Sequence, residues 1–472
     1  MKKIIYSFFL TTVLLCSACQ DLVDGINDNP NQITLDEVNA TLFLTGSMLA
    51  NTSAQAGHLN RISGLYSGQL TGLSSLYSNI YGYSLSTAES VATWSRVYIG
   101  VVPNVRHIRN ILPNDQLVQG ICKVLEAHAV GTAASLFGDV PYSEINTNDV
   151  SDPSFDNQID VFNALIALLD DAISDLNSAE SRGISEDIYY NGDGASWREA
   201  AHTLKARYLM HLRDYPGALT AASSGISSSV RSMKHIPRGD AGVSAGDKNL
   251  FWEILEGART GDIGSDGSYL SRLLDPGSET YRGNAKTDET ARGQYMYIFE
   301  TGGTDNLGII EQFEPQSLIS FEENQLILAE AAARTQGMMP GLQALNEYRA
   351  WLNEGGRLNS NFLGESFLYA AYDMADFEPG GMENLDGIDP ERALLREIIE
   401  ERYVSGFGQF MPYDDARRLR KSDSDILVPF PLNVSSATQH PERMPYSDDE
   451  LNSNSNAPSS DPGIFVKTRV NE

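Results

Sequence analysis

Residues 187–225, DIYYNGDGASWREAAHTLKARYLMHLRDYPGALTAASSG, restrict the possible folds more than any other stretch of this sequence. From Trp197 onwards, apolar residues recur at three- and four-residue steps, which predicts a helix with one buried face. The run 214–217, Asp-Tyr-Pro-Gly, breaks that helix, and a shorter second helix follows. We expect Ser196 to cap the first helix at its N-terminus. Two helices joined by a tight corner cannot bury their apolar faces alone, so the sequence predicts further helix pairs stacked against this one.

The same periodicity recurs along the chain and predicts an all-α fold. We expect helices over residues 35–48, 94–112 with a kink at Pro103, 117–137, 159–176, 320–334, 340–352 and 390–404. The pair at 320–352 repeats the short corner and the small residues of the first pair, as in tetratricopeptide (TPR) units. Residues 233–318 and 353–388 lack this periodicity and are rich in Gly and polar residues, which indicates two loop-rich insertions with a few short strands.

The N-terminus has the pattern of a lipoprotein secretion signal. Lys2 and Lys3 precede an apolar run at 4–15 that is too short to span a bilayer, and two small residues precede Cys19. We therefore expect a signal peptide at 1–18, a lipid attached to Cys19, an anchor and linker at 19–34, and one domain over 35–472. Acyl chains on Cys19 would anchor an otherwise soluble body. An ordinary secreted protein, cut near Cys19 but not acylated, is the alternative.

Composition argues against several classes of function. The chain has 34 basic and 63 acidic residues, a formal net charge of −29, and no basic stripe, so nucleic acid would be repelled. If Cys19 is acylated and the signal removed, Cys122 is the one thiol left, and an intrachain disulfide is impossible. The sequence holds no C-x-x-C, no H-E-x-x-H and no phosphate-binding glycine motif, so we assign no metal-ligand residues and expect no cofactor. The sequence does not decide whether a structural metal is present. The G-x-S-x-G match at 242–246 follows no buried strand, which indicates a chance loop match and no catalytic serine.

Several motifs resemble signatures of the SusD/RagB family. The most specific are D-x-Y-Y-x-G-D-x-x-x-W followed by L-K-x-R at 187–207, and FGDVPYSE at 137–144. N-P-N at 29–31 and R-x-P-Y at 443–446 are similar to further family elements. That resemblance implies a SusD-like outer-membrane lipoprotein, exposed at the cell surface, that binds a nutrient and does not act as an enzyme. The nutrient would be a glycan or a peptide, delivered to a SusC-like TonB-dependent transporter.

Aromatic residues in loops are the candidate ligand contacts. The apolar C–H face of a sugar ring stacks on an aromatic ring, while Asp, Asn and Arg side chains bond its hydroxyl groups. The candidates are Tyr77, Tyr81, Tyr83, Trp252, Tyr269 and Tyr281. Trp94, Trp197 and Trp351 lie on helical stripes and are expected in the core.

Two other functions remain open from the residues alone. The chain could be a secreted hydrolase with its site in 233–316, or a lipid-anchored TPR assembly scaffold without a small ligand. The sequence does not name the nutrient.

Overall fold

The computed structural model of the chain describes residues 41–145, 150–243, 246–257, 259–300 and 305–472. The expected signal peptide and linker, with Cys19, fall outside the described residues, and so does Ser244 of the G-x-S-x-G match. The expectations for these residues therefore stay predictions.

Helices predominate in the described part of the chain, which confirms the predicted all-α class. The α-helices are α1 (Leu42–Ala56), α2 (His58–Tyr66), α3 (Ser75–Tyr81), α4 (Val91–Ser95), α5 (Val102–Ile111), α6 (Gln116–Phe137), α7 (Gln158–Ser178), α8 (Gly194–His211), α9 (Tyr215–Ala222), α10 (Leu250–Glu256), α11 (Tyr269–Leu274), α12 (Thr290–Met296), α13 (Phe321–Gln336), α14 (Met338–Asn353), α15 (Pro390–Ser405), α16 (Met411–Ser422) and α17 (Asp448–Ser453). Short 3-10 turns lie at Thr87–Ser90, Ser229–Arg231, Met374–Asp376 and Arg469–Asn471. None of these described helices is both long and apolar enough to cross a bilayer.

The two predicted helix pairs, α8 with α9 and α13 with α14, are both present. A small apolar core lies between α8, α9 and α13, built from residues such as Ala206, Ala218, Ile327 and Ala331. The small alanine side chains allow the helix backbones to approach closely. The helical scaffold is therefore TPR-like, as the corner residues predict.

The N-cap of α8 differs from the prediction. The helix begins at Gly194, and Asp193 rather than Ser196 caps it, since its carboxylate accepts a hydrogen bond from the backbone N–H of Ala195 at 3.1 Å. Ser196 lies inside the first turn and donates its hydroxyl to Asp193 at 2.6 Å. Both are good capping residues, and a carboxylate at the helix N-terminus gains from the helix dipole as well.

Pro103 produces a π-helical turn, Arg96–Val101, within the predicted helix 94–112. Proline has no backbone N–H, so the carbonyl four residues earlier, that of Ile99, loses its normal donor. The side-chain amide of Asn104 replaces it, donating to the Gly100 carbonyl at 2.8 Å and to that of Ile99 at 3.4 Å. The helix thus continues past the proline with a widened turn.

The strands are short and antiparallel, and each described sheet has two of them. The pairs are β1 (Thr71–Gly72) with β5 (Ile263–Gly264), β2 (Val140–Pro141) with β3 (Phe155–Asp156), β4 (Met233–His235) with β7 (Gln316–Ile319), and β6 (Thr287–Asp288) with β8 (Leu368–Tyr369). In the β4–β7 pair, Met233 lies opposite Ile319 and His235 opposite Gln316. This pair closes the base of the predicted insertion at 233–318.

The insertion at 233–318 is more ordered than the sequence predicts. It contains the three short helices α10, α11 and α12. Each is only one or two turns long, too short for apolar residues to repeat with a recognisable period. The expected loops are therefore partly helical, and two of these helices build the candidate site described below.

The motif at 187–207 fixes the approach to α8. The carboxylate of Asp187 is buried and accepts hydrogen bonds from the backbone N–H groups of Tyr189, Tyr190 and Gly192 at 2.8–3.1 Å. It also accepts the indole N–H of Trp197 at 2.7 Å. One carboxylate thus satisfies four donors, which gives a physical reason for the spacing of Asp, Tyr-Tyr, Gly and Trp in this motif.

A buried ion cluster around Glu330 joins the second helix pair to the C-terminal helices. Glu330 accepts two hydrogen bonds from Arg418 at 2.8 and 2.9 Å and one from Arg334 at 2.9 Å, and Arg402 lies 3.4 Å away. Burial alone would raise the pKa of this carboxyl, but the nearby guanidinium groups outweigh it and lower the pKa to about 2. Asp415, between Arg402 and Arg418, completes the cluster.

We predict that Asp187→Ala lowers the free energy of unfolding by about 3 kcal/mol or more, since it leaves buried donors without an acceptor. Urea denaturation of the soluble mature domain measures this. Glu180→Ala removes an exposed carboxylate nearby and should change the value by less than about 0.5 kcal/mol. Equal stability of the two variants would contradict the role assigned to Asp187.

A second prediction concerns acid stability. Because the folded-state pKa of Glu330 is depressed, its stabilising contribution is present above its unfolded pKa and is lost as the pH falls towards about 2. Glu330→Gln should therefore cost about 3–5 kcal/mol at neutral pH. That cost should shrink as the pH is lowered from about 5 towards 2 in urea titrations. A cost independent of pH would show that Glu330 acts through packing rather than charge.

Candidate functional site

An open cleft of about 770 Å³ lies on the insertion at 233–318. Residues of α11 and α12 form part of its walls, together with the segments that follow them. Three aromatic side chains line it, those of Tyr297, Phe299 and Phe362. The polar lining residues include Asp266, Arg272, Asp275, Gln294 and Asp305. The cleft thus combines apolar ring faces with groups that can bond hydroxyls.

Two of the rings reach the cleft because the chain is extended after α12. Ile298 is only 1% exposed and belongs to the core, whereas Phe299 is 44% exposed. Successive side chains of an extended segment point to opposite sides, so Tyr297 and Phe299 both face away from the core. Their ring centroids are 4.9 Å apart at an interplanar angle of 64°. We refer to residues 297–299 as the aromatic strip.

Hydrogen bonds hold the backbone of the aromatic strip on both sides. The N–H of Ile298 donates to the hydroxyl of Ser265 at 3.0 Å, and its carbonyl accepts from the N–H of Ser265 at 2.9 Å. The N–H of Phe299 donates to the side-chain oxygen of Asn306 at 2.9 Å, and its carbonyl accepts from the amide nitrogen of Asn306 at 3.0 Å. Both residues therefore have their backbone groups satisfied, and the two rings are presented from a fixed support.

A second buried ion cluster fixes α12, the helix that leads into the aromatic strip. Arg292 donates to Glu289 at 2.6 and 2.8 Å and to Glu401 of α15 at 2.6 and 3.1 Å. Arg282 donates to the same two carboxylates, each at 2.8 Å. Burial alone would raise the pKa of Glu401, but the two guanidinium groups outweigh it and hold that pKa well below its usual range. These charges lock the insertion onto the helical scaffold.

Close packing between α11 and α12 depends on a glycine. A Cβ atom added at Gly293 would lie 2.9 Å from the carbonyl oxygen of Leu274, closer than real Cβ contacts come. At Gly308, a Cβ would lie 2.0 Å from the carbonyl oxygen of Tyr295. Both glycines therefore let the walls of the cleft approach each other.

The polar groups of the cleft are placed to donate and accept hydrogen bonds. Burial raises the pKa of Tyr297, and the carboxylates of Asp266 and Glu300 raise it further, so its phenol stays protonated and can donate. Asp275 accepts the N–H of Gly277 at 2.9 Å, and Gln294 is exposed. Within the described residues, no group of His, Cys, Asp and Glu side chains has an arrangement that could hold a metal ion.

Two of the six predicted contact residues are in the core. Tyr77 is 1% exposed, and its hydroxyl accepts a hydrogen bond from Arg61 at 2.7 Å. Tyr269 is 9% exposed and packs beside Gly68, whose carbonyl accepts the N–H of Tyr269 at 2.8 Å. Neither ring offers a face to solvent in this structure.

The other four predicted residues are half-buried, and none of them lines the cleft. Tyr83 accepts the backbone N–H of Asn433 at 2.9 Å, and Tyr281 accepts that of Glu289 at 3.0 Å. The ring of Trp252 has the ammonium group of Lys248 4.6 Å above it. Burial raises the pKa of Tyr81, while the charge of Arg272 opposes the shift. Ligand binding by these residues stays a prediction.

Sequence reasoning does not identify the three rings of the cleft. The run YMYIF at 295–299 has the pattern of a short apolar strand, and only its alternation of aromatic and aliphatic residues could have indicated the site. Phe362 lies in the other insertion, so its contribution depends on a contact that sequence order does not show.

Comparisons with known proteins agree with this architecture. The family model for SusD-like proteins, described as starch-binding and associating with the outer membrane, matches residues 30–407. A SusD/RagB family protein from Bacteroides thetaiotaomicron has a similar structure, with 18% identity, a TM-score of 0.69, and 92% of this chain and 99% of that chain covered. A chitin-binding SusD homolog from Flavobacterium johnsoniae has 17% identity and a TM-score of 0.64, with 91% and 98% covered. At such low identities the structural likeness shows the fold alone. No curated protein sequence gave a significant match.

Proposed function

The chain belongs to the SusD-like family, whose members are described as starch-binding and associated with the outer membrane, and from this premise we propose that it binds a glycan nutrient in the cleft of the 233–318 insertion. The observation that carries the proposal is the aromatic strip with its adjoining polar groups. A sugar ring would place its C–H face on Phe299 or Tyr297, while Asp266, Arg272 or Gln294 bond its hydroxyls. Binding occurs without catalysis, and no cofactor is required.

The proposal includes delivery of the bound glycan to a SusC-like TonB-dependent transporter. The family's association with the outer membrane supports this location. Acyl chains on Cys19 hold the single domain, residues 35–472, at the cell surface through the linker at 19–34. The helical scaffold gives the transporter a rigid surface, and the insertion gives the nutrient an open cleft. A peptide nutrient is an alternative ligand of the same cleft.

Removing a cleft ring tests the binding site. We predict that Tyr297→Ala or Phe299→Ala weakens binding of the glycan by roughly fivefold to tenfold, since an aromatic contact contributes about 1 kcal/mol beyond the area it buries. An array of neutral oligosaccharides and peptides identifies the ligand, and calorimetry on each variant measures its affinity.

Phe465→Ala is the matched control for these variants, because Phe465 is 37% exposed and lies outside the cleft lining. It should leave the affinity within about twofold of the original value. A glycan that binds the cleft variants and the control equally tightly would place the site elsewhere. A flat response over the whole array would favour an assembly scaffold instead.

The anchor is tested separately. Cys19→Ser should abolish incorporation of labelled palmitate and release the protein from the membrane fraction, because no acyl chain can then be attached. The same substitution at Cys122, which is buried and keeps its thiol protonated because burial raises its pKa, should leave labelling unchanged. Labelling that survives Cys19→Ser would exclude Cys19 as the acylated residue.

A further inference from the structure

The charged residues of the cleft affect which glycans it can bind. Among the described residues that line it, three carboxylates, those of Asp266, Asp275 and Asp305, face one guanidinium group, that of Arg272. The cleft therefore has a negative local charge in addition to the formal net charge of −29 on the chain.

The carboxylates line the same cleft as the exposed rings. Burial raises the pKa of Tyr297, and the charge of Asp266 raises it further. Asp305 directly precedes Asn306, whose side chain holds the backbone of Phe299 with two hydrogen bonds. Asp266 and Asp305 therefore line the cleft together with the two rings of the aromatic strip.

Two of these carboxylates lack a cationic partner within the described residues. Asp275 accepts a backbone N–H of Gly277, and Asp266 forms no ion pair or hydrogen bond among the described contacts. Among the described residues Arg272 forms no ion pair with them; its guanidinium lies over the ring of Tyr269 at 5.7 Å and donates to the carbonyl of Ser268 at 3.4 Å. Their negative charge is therefore available to a ligand.

A ligand that uses both the aromatic rings and the carboxylates of the cleft has an apolar ring face and a positive charge on the same sugar unit. A sugar with a free amino group meets this description, since its ring can stack while its ammonium group lies beside a carboxylate. A glycan with carboxylate or sulfate groups would bring like charges together, and both the repulsion and the desolvation of these charges would weaken binding.

Building on the proposed glycan-binding function, we propose that the cleft prefers glycans with free amino groups over their N-acetylated or uncharged counterparts, and rejects anionic glycans. The ring contacts are shared by all three classes of ligand. The carboxylates of the cleft provide the discrimination.

The test compares oligomers of equal length and linkage by calorimetry at about pH 6, where amines are protonated and carboxylates ionised. The probes are the β-1,4-linked tetramers of glucosamine, of N-acetylglucosamine and of glucuronic acid. We expect the glucosamine oligomer to bind about threefold to tenfold more tightly than the N-acetylated one. That ratio should fall as salt is raised from about 0.01 M to 1 M, because screening weakens exposed charge pairs.

Two double variants that change the net charge by the same amount distinguish the effect of the cleft carboxylates from the effect of the charge on the whole chain. Asp266→Asn combined with Asp275→Asn should bring the ratio of the two affinities close to one. Asp160→Asn combined with Asp171→Asn changes the net charge by the same amount at exposed positions on α7 and should keep the preference. A preference lost equally in both pairs of variants would overturn the role of the cleft carboxylates.

Other outcomes distinguish this inference from the proposed function. If the N-acetylated or another neutral oligomer binds and the glucosamine oligomer binds no more tightly, the charge preference is wrong and glycan binding stands. If the glucuronic acid oligomer binds as well as the others, the preference is also wrong. If no oligomer on the array binds, both proposals fail.

Discussion

The position of the cleft depends on the buried cluster formed by Arg282, Arg292, Glu289 and Glu401. Each of these charges is almost fully buried, so any one of them left without its partner would cost several kcal/mol. Few arrangements of the insertion on α15 satisfy all four at once. Because Arg292 lies in α12 and the aromatic strip follows directly, the direction in which the rings point is set by this cluster as much as by local backbone preference.

The motif at 187–207 acts on the helical scaffold. Asp187 satisfies four donors at the start of α8, and Arg207, the last residue of that motif, donates two hydrogen bonds to Glu323 of α13 at 2.6 and 2.7 Å. These contacts fix how the helix pairs stack. The proposed ligand contacts lie instead in the 233–318 insertion, where no family motif was recognised. Chains of 17–18% identity therefore share this fold.

Helix positions could be predicted from sequence because apolar periodicity is a local property of the chain. Pro103 also indicated that the helix predicted over 94–112 would be irregular, and a π-helical turn precedes it. The ligand candidates could not be ranked in the same way, because exposure depends on contacts distant in sequence. Tyr77 and Tyr269 are buried against Arg61 and Gly68, whereas Phe299 is kept at the surface by a side chain seven residues away. A loop aromatic residue alone carries no signal that separates these outcomes.

The net charge of the chain and the local charge of the cleft act over different distances. At physiological salt, exposed charges more than about 8 Å apart are largely screened, so the −29 of the chain contributes little to a bound ligand beyond its nearest carboxylates. The overall charge can bias which glycans approach the surface, but it cannot distinguish two ligands once they are seated on the same rings. In the proposed complex, discrimination between bound ligands would therefore come from Asp266 and the other carboxylates that line the cleft with the aromatic strip. The packing that places the rings would then also set the electrostatic selectivity that we propose for the site.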